Sequence, residues 1–253
     1  YRRDHADSLR IDPLLGIYFF RVNVTRPPLT DKRVRRALAL GIDRKQIVER
    51  VVNQGQTPAY NACPPMPSFT STARLQGDLE EAKRLLAEAG FPDGKGFPRI
   101  DLLHNTSQNH KKIAEALQQM WRINLGIDVA PVNQEWKVYL DSQDTLNYSL
   151  SRAGWVADYV DPNTFFDLWR TGDGNNDTGF GNADYDRMLE EALNAPSEAA
   201  RMAIYTKMDT LLMDEVPFIP LYFYTRAFAI APKLHYPENR VETPNWKYVY
   251  WTE

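Results

Sequence analysis

Between residues 152 and 167 the sequence RAGWVADYVDPNTFFD sets three carboxylates, Asp158, Asp161 and Asp167, just after Gly154, Trp155 and Val156. Paired carboxylates do general acid and base work, so Asp158 with Asp161, or with Glu135, defines one function class, a hydrolase. The spacing does not demand it, because Asp161 ahead of Pro162-Asn163 is ordinary turn chemistry. Asp158 is different. A carboxylate beside the Trp155 indole at a strand end suits an ammonium group, which gains an ion pair and a cation–π contact together; the competing role is a surface or capping Asp. His5, His104, His110 and His235 show no HExxH or similar tight metal spacing, and His104 and His110 run from a strand end into a helix start. The strings GxSxG, GxxxxGK[ST] and GxGxxG are absent, so serine-hydrolase, P-loop and dinucleotide signatures are missing. Cys63 stands alone, which excludes an internal disulfide and a multi-thiolate metal site.

Positioning these residues requires an α/β framework. Ile17–Val24 reads as a strand stopped by Pro27-Pro28. Asp31 opens a helix with Val34, Ala37 and Leu38 on one face, and Asp43 caps a second with Ile47, Val48 and Val51. Residues 55–77, with Pro58, Pro64, Pro65 and Pro67, form a long loop that must be ordered by contacts elsewhere. Asp78 with Glu81 starts a helix that Gly90 stops. A strand at Ile100–His104, a helix over Asn109–Asn124 with Ile113, Leu117, Met120 and Trp121 inward, and a strand at Ile127–Val132 make a βαβ crossover. A short helix at Glu135–Asp141 leads to a strand at Tyr148–Ala153, and strand ends in α/β sheets are where ligands sit. Helices at Ala183–Leu193 and Ser197–Asp214 and strands at Phe218–Tyr224 and Ala227–Ala231 complete the pattern. Trp136 and Trp155 lie outside any clear apolar stripe and are candidate pocket walls.

The 253 residues give room for one large or two modest domains, and 43% hydrophobic with 25% charged residues is an ordinary globular balance. No apolar run reaches the roughly 18 residues of a membrane-spanning helix. Net charge is −3, unevenly spread: residues 1–50 hold 12 Lys and Arg against 6 Asp and Glu, and residues 151–200 hold 3 against 10. The basic residues Arg33, Arg35, Arg36, Arg44, Lys45 and Arg50 interleave with apolar positions at helical spacing, which describes a solvated helix face and no nucleic-acid footprint.

Several strings, in this order, resemble a known family over roughly 230 residues: IYFFRVNVTRPPLTDKRVRRALALGIDR, EEAKRLLAEAGF, LLHNTSQNHKKIAEALQQMW, VNQEWKVYL and SRAGWVADYVDP. They are similar to the C-terminal half of the oligopeptide-binding branch of the family 5 extracellular solute-binding proteins, the periplasmic receptors of ABC importers. The resemblance implies a periplasmic-binding-protein-like lobe of type II, a mixed sheet with flanking helices, in a two-lobed receptor that closes on an extended peptide. It implies a non-catalytic role with no cofactor, a membrane permease as partner, and a location in the periplasm or lipid-anchored outside the cytoplasmic membrane. Residue by residue, Asp158 matches the carboxylate that pairs with the peptide α-ammonium, and Gly154, Trp155 and Val156 the strand beside the peptide. Trp136 and Trp155 match pocket-lining indoles, Arg152 and His110 groups that meet the peptide carboxylate, and Tyr224 a tyrosine near the hinge and the ligand.

Departures are present too. Gln143 and Asp144 stand where the oligopeptide-binding relatives carry an Arg-His pair near ligand side chains, and Val156 replaces a Cys. Other branches of the family take dipeptides, nickel complexes, haem or oligosaccharides, and some serve as sensing domains of transcription regulators, so these remain alternatives. Members are about twice as long as this chain. The expectation is therefore a fragment in which residues 1–231 form the ligand-binding lobe, with hinge strands near 17–24 and 218–224. Residues 232–253, with Trp246, Tyr248, Tyr250 and Trp251, would return to the missing N-terminal lobe.

Overall fold

The computed structural model describes residues 6–237 and 246–252. His5 lies outside them, as do residues 238–245 of the expected return segment.

One mixed sheet organises the lobe. Its strands are β1 (Leu9–Val22), β2 (Thr57–Pro58), β3 (Ile100–Asn105), β4 (Val129–Gln134), β5 (Leu150–Val156) and β6 (Phe218–Ala229), in the order β2-β6-β1-β5-β3-β4. β1 is central and antiparallel to both β6 and β5, whereas β5, β3 and β4 run parallel. From Leu15 to Phe20 every residue of β1 is buried, the mark of a strand covered on both faces. Alternation explains how. Tyr18 turns to the face where His110 of α4 (Gln108–Leu125) lies, its ring centroid 5.6 Å from the imidazole. Phe19 turns to the opposite face against Trp169 and Phe218, which stack on each other at 4.1 Å.

The helices follow their caps. α1 (Lys32–Leu40) and α3 (Leu79–Glu88) begin at Asp31 and Asp78, whose carboxylates accept from the Arg33 and Glu81 amides. α2 (Arg44–Gln46) begins at Asp43 and relaxes into a π-helical turn, Ile47–Val52, ended by Asn53 at φ 46°. That turn takes the place of the second regular helix expected there. Gly126, at φ +69°, ends α4 in the left-handed conformation. Trp121, fully buried on α4, donates its indole N–H to Leu38 O of α1 at 2.8 Å. α5 (Trp136–Asp144), α6 (Asn163–Phe166), α7 (Ala183–Leu193) and α8 (Glu198–Glu215) complete the helices. The basic stretch is engaged by neighbours: Lys32 and Arg36 pair with Asp214, and buried Arg35 donates to Leu29 O and Glu215 O.

Some boundaries differ from the sequence reading: β4 is shifted two residues C-terminal to the expected Ile127–Val132, and three others share one physical reason. β1 starts at Leu9, β5 extends to Val156, and the two C-terminal strands are one, β6, because β1 pairs with β6 and with β5 along these stretches. At the C-terminus, β7 (Leu234–His235) pairs with β8 (Tyr250–Trp251), and Trp246 and Trp251 are 67% and 68% exposed.

The long segment between β2 and α3 is ordered by burial, as its composition required. Ala62, Cys63, Met66, Phe69 and Leu75 are all inside. Its anchor is Asp209 of α8, fully buried, which accepts from the Ala62 amide at 3.0 Å. Burial pushes this carboxyl from 3.8 up to about 6, against the opposing pull of Ser71, the Ala62 amide, Asn61 and Arg74. The fold thus prefers the protonated acid. That preference is fully expressed below about pH 4 and is lost as pH rises through about 6, an upper bound of about 3 kcal/mol. Asp209→Asn keeps an acceptor for Ala62 and removes the charge. It is expected to raise the melting temperature at pH 8 and to show a shrinking advantage toward pH 4 in a thermal unfolding series. An equal loss at both pH values would mean that shape, not charge, matters at this position.

Candidate ligand-binding site

β5 carries the site. Its first residues pair on both sides: with β1 along the whole strand, and with β3 at Leu102↔Leu150 and Leu103↔Ser151. Beyond Ser151 the β3 side has no strand partner among the described residues. Backbone direction alternates along a strand, and the Ala157 amide donates to Leu15 O of β1. Ala153, Trp155 and Ala157 therefore aim their backbone groups at β1, while Arg152, Gly154 and Val156 aim theirs at the open edge. The Arg152 carbonyl is already taken there by Tyr139 Oη and by Gln143 Nε2, the latter at 3.2 Å. Gly154 and Val156 remain, and Gly154 is exposed. This is a short length of sheet edge able to accept one more extended chain.

On the Tyr18 face the edge is backed by a tyrosine cluster. The Arg152 guanidinium sits 4.8 Å above the Tyr18 ring and donates through Nη2 to Tyr224 Oη at 3.2 Å, while its buried Nε has no acceptor among the described residues. Tyr18 Oη lies 3.2 Å from His110 Nδ1. Burial, then the charge of Arg152, then His104, hold the His110 imidazole down to about 4, so it is neutral near pH 7. Burial likewise raises the Tyr18, Tyr222 and Tyr224 phenols, which stay protonated. Tyr222 stacks on Tyr18 at 4.8 Å and meets Tyr224 edge-on at 5.6 Å. The one full positive charge of this cluster is thus Arg152, and among the described residues no carboxylate pairs with it.

Of the residues singled out in the sequence, Arg152, His110, Gly154 and Tyr224 gather on this face. Val156 lies on the same open edge. Trp155 turns to the other face, packs partly against the core and donates Nε1 to Thr164 Oγ1 at 3.1 Å, which makes it more a brace than a free pocket wall. Trp136 is 51% exposed and stacks on Tyr139 at 5.7 Å. Asp158 follows the strand, exposed, with no hydrogen bond or ion pair among the described residues. Asp161 is occupied: it accepts from the Asn163 amide and from Arg201. Glu135 caps α5 by accepting from the Lys137 amide, and no cluster of three metal-ligating side chains occurs among the described residues.

Gln143 turns into the protein. It is buried, and its amide donates to Tyr139 Oη, Ser151 Oγ and the Arg152 carbonyl, bracing β5 from behind. Asp144, one residue on, is exposed instead beside a hollow of about 500 Å³ formed with residues 171–181. Sequence reasoning missed Tyr18 and Tyr139. Both sit within apolar runs and read as core, and only the tertiary approach of β1, α5 and β5 puts their hydroxyls at the site.

Sequence and fold are both shared with proteins already known. The profile of the bacterial extracellular solute-binding proteins, family 5, matches residues 1–177. The periplasmic murein peptide-binding protein MppA of Escherichia coli is 40% identical over 248 residues, 95% of this chain and 46% of that protein. The periplasmic oligopeptide-binding protein OppA of the same organism is 38% identical over 241 residues, 91% of this chain and 44% of that one. Among solved structures, unliganded open MppA superposes with a TM-score of 0.90 at 37% identity, covering 98% of this chain and 50% of its own. Haemophilus influenzae OppA in complex with RPPGFSPFR gives 0.87 at 29% identity, covering 100% and 51%. This chain spans about half the length of these relatives. With a matching profile over most of the sequence and the same mixed-sheet lobe, the chain belongs to the family 5 bacterial extracellular solute-binding proteins.

Proposed function

We propose that this chain is the peptide-pairing lobe of a two-lobed periplasmic receptor that delivers oligopeptides to the permease of an ABC importer. The observation that carries the reading is the open edge of β5 at Gly154 and Val156, ended by the unpaired carboxylate of Asp158. An extended peptide added there would satisfy its backbone against Gly154 and Val156, contacts that every peptide offers whatever its side chains. Its α-ammonium would meet Asp158, beyond the strand that Trp155 braces, and its carboxylate would meet Arg152, with His110 close by. Trp136, exposed on α5, would cover a ligand side chain. A binding role without catalysis is supported by relatives that are named as binding proteins.

In this reading residues 1–231 are the lobe, β1 and β6 supply the hinge near 17–24 and 218–224, and residues 232–253 return to an N-terminal lobe. The exposed Trp246, Tyr248, Tyr250 and Trp251 are then covered by that lobe. Amide hydrogen exchange on the full-length protein tests the pairing directly. A bound tetrapeptide should slow exchange at Gly154 and Val156 and leave Trp155 and Ala157, already directed at β1, unchanged. Unaltered exchange at Gly154 and Val156 in the presence of saturating peptide would refute strand addition.

A further inference from the structure

We infer that Arg201 and Asp161 are positioning residues for ligand recognition: their ion pair fixes the turn that presents Asp158. The inference rests on the ammonium-binding reading of Asp158 and adds residues that never touch the ligand.

The turn from Ala157 to Asn163 contains three consecutive exposed residues, Asp158, Tyr159 and Val160, with the two hydrophobic ones 48% and 58% exposed. Such an apex has no packing of its own to fix it. Its ends are nevertheless tied on every side. At the base, Trp155 Nε1 donates to Thr164 Oγ1 at 3.1 Å, joining the end of β5 to α6 across the turn. Within the turn, both oxygens of Asp161 are used: Oδ1 accepts from the Asn163 amide at 2.9 Å and Oδ2 from Arg201 Nη2 at 2.7 Å. Asn163 then links outward twice. Its Oδ1 accepts from Tyr205 Oη at 3.2 Å, and its Nδ2 donates to Tyr159 Oη at 3.2 Å.

Arg201 and Tyr205 sit one helical turn apart on α8, so a single rigid element holds the turn at two points. Tyr205 is itself immobile, fully buried, stacked on Phe166 at 5.1 Å and edge-on to Phe69 at 6.2 Å. Arg201 lies 5.8 Å from the Tyr205 ring centroid. Core, α8, Arg201, Asp161 and the Asp158 apex thus form a continuous chain of contacts. The pair itself is partly solvated, with side chains 32% and 24% exposed, so its worth to global stability is small. Its effect is local. Without it, Asp158 samples more positions in the free protein and loses more freedom on meeting an ammonium group.

The test uses the full-length protein and two matched tripeptides, one with a free amino terminus and one N-acetylated, in calorimetric titrations. Arg201→Ala is expected to weaken the free-amine peptide about threefold to tenfold and leave the acetylated one within error, with Arg201→Lys restoring most of the loss. Equal weakening of both peptides, or none, overturns the positioning role, and a lost response to the acetylated peptide would identify a folding defect and count against it likewise. Asp158→Ala is run beside them. If that variant does not discriminate the two peptides, the ammonium reading itself falls; if it does and Arg201→Ala does not, only the present inference falls.

Discussion

Asp158→Ala in the full-length protein is expected to weaken peptides with a free amino terminus by about 30-fold to 1,000-fold, corresponding to about 2–4 kcal/mol. N-acetylated versions of the same peptides should change little. The magnitude follows from what the carboxylate does in each state. Asp158 is exposed and has no partner among the described residues, so deleting it removes no contact of this lobe. In the proposed two-lobed receptor, closure over the ligand would exclude water, and the peptide ammonium would have to find its charge-assisted hydrogen bonds from the protein or go without. Removing the carboxylate strands a buried cation. Asp158→Asn should fall between the two, keeping an acceptor and losing the charge. The ligand's own titration gives a second readout. A terminal amine deprotonates near pH 8, so wild-type affinity for free-amine peptides should decline above that pH while acetylated peptides stay flat. Matched losses for both peptide types on Asp158→Ala would eliminate the ion pair.

The charge on the other side of the site has its own logic. Arg152 is held by Tyr18 and Tyr224, which are neutral, so its charge is oriented but not neutralised. His110 is neutral near pH 7, since burial and the Arg152 charge both oppose a second cation. The lobe therefore offers a separated pair of unneutralised charges, Asp158 beyond the end of β5 and Arg152 within it, with backbone groups between. A zwitterion with its own peptide groups between the charges is the chemical complement of that layout.

How much of this could be read from the sequence varies by residue. Caps spoke clearly: Asp31, Asp78 and Ser197 each start the helix expected of them and Asp43 caps as expected, though its helix gives way to a π-helical turn, because an N-cap is a local event decided within three residues. Strand ends did not, since Leu9–Gly16 and Gly154–Val156 become strand only by pairing with partners more than a hundred residues away. The turn at Asp161 was legible as turn chemistry, but its bond to Arg201, forty residues on, was not. Trp155 looked like an open pocket wall because an indole's exposure cannot be read from its neighbours, and its bond to Thr164 depends on α6, a helix too short to leave a periodic signal. Gln143 shows the same limit. The side chain turns inward to hold the Arg152 carbonyl, a contact that depends on how α5 lies against β5.

Gly154→Ala is expected to cost about 1–3 kcal/mol of stability and to weaken peptide binding, through one contact. A Cβ at this position would lie 2.5 Å from Tyr224 Oη, against 3.3 Å from Ile17 O and 3.4 Å from Arg152 Nη2, so the phenol is the group that must give way. Backbone conformation is not the obstacle, since Gly154 is not among the positive-φ glycines. Nor can the ring swing freely: Tyr222 meets it edge-on at 5.6 Å and Tyr18 at 6.3 Å. Displacing it breaks the hydrogen bond from Arg152 Nη2 and releases the guanidinium from its place over Tyr18. Removing the hydroxyl should open the space. Tyr224→Phe alone forfeits one hydrogen bond, about 0.5–1.5 kcal/mol, yet combined with Gly154→Ala it should recover much of the lost stability. Chemical denaturation of the four proteins in a double-mutant cycle measures this coupling. Losses that simply add would show that Gly154 and Tyr224 act independently; a strongly favourable coupling means that the glycine is there to let a tyrosine hydroxyl lie against the strand and hold Arg152 toward the ligand.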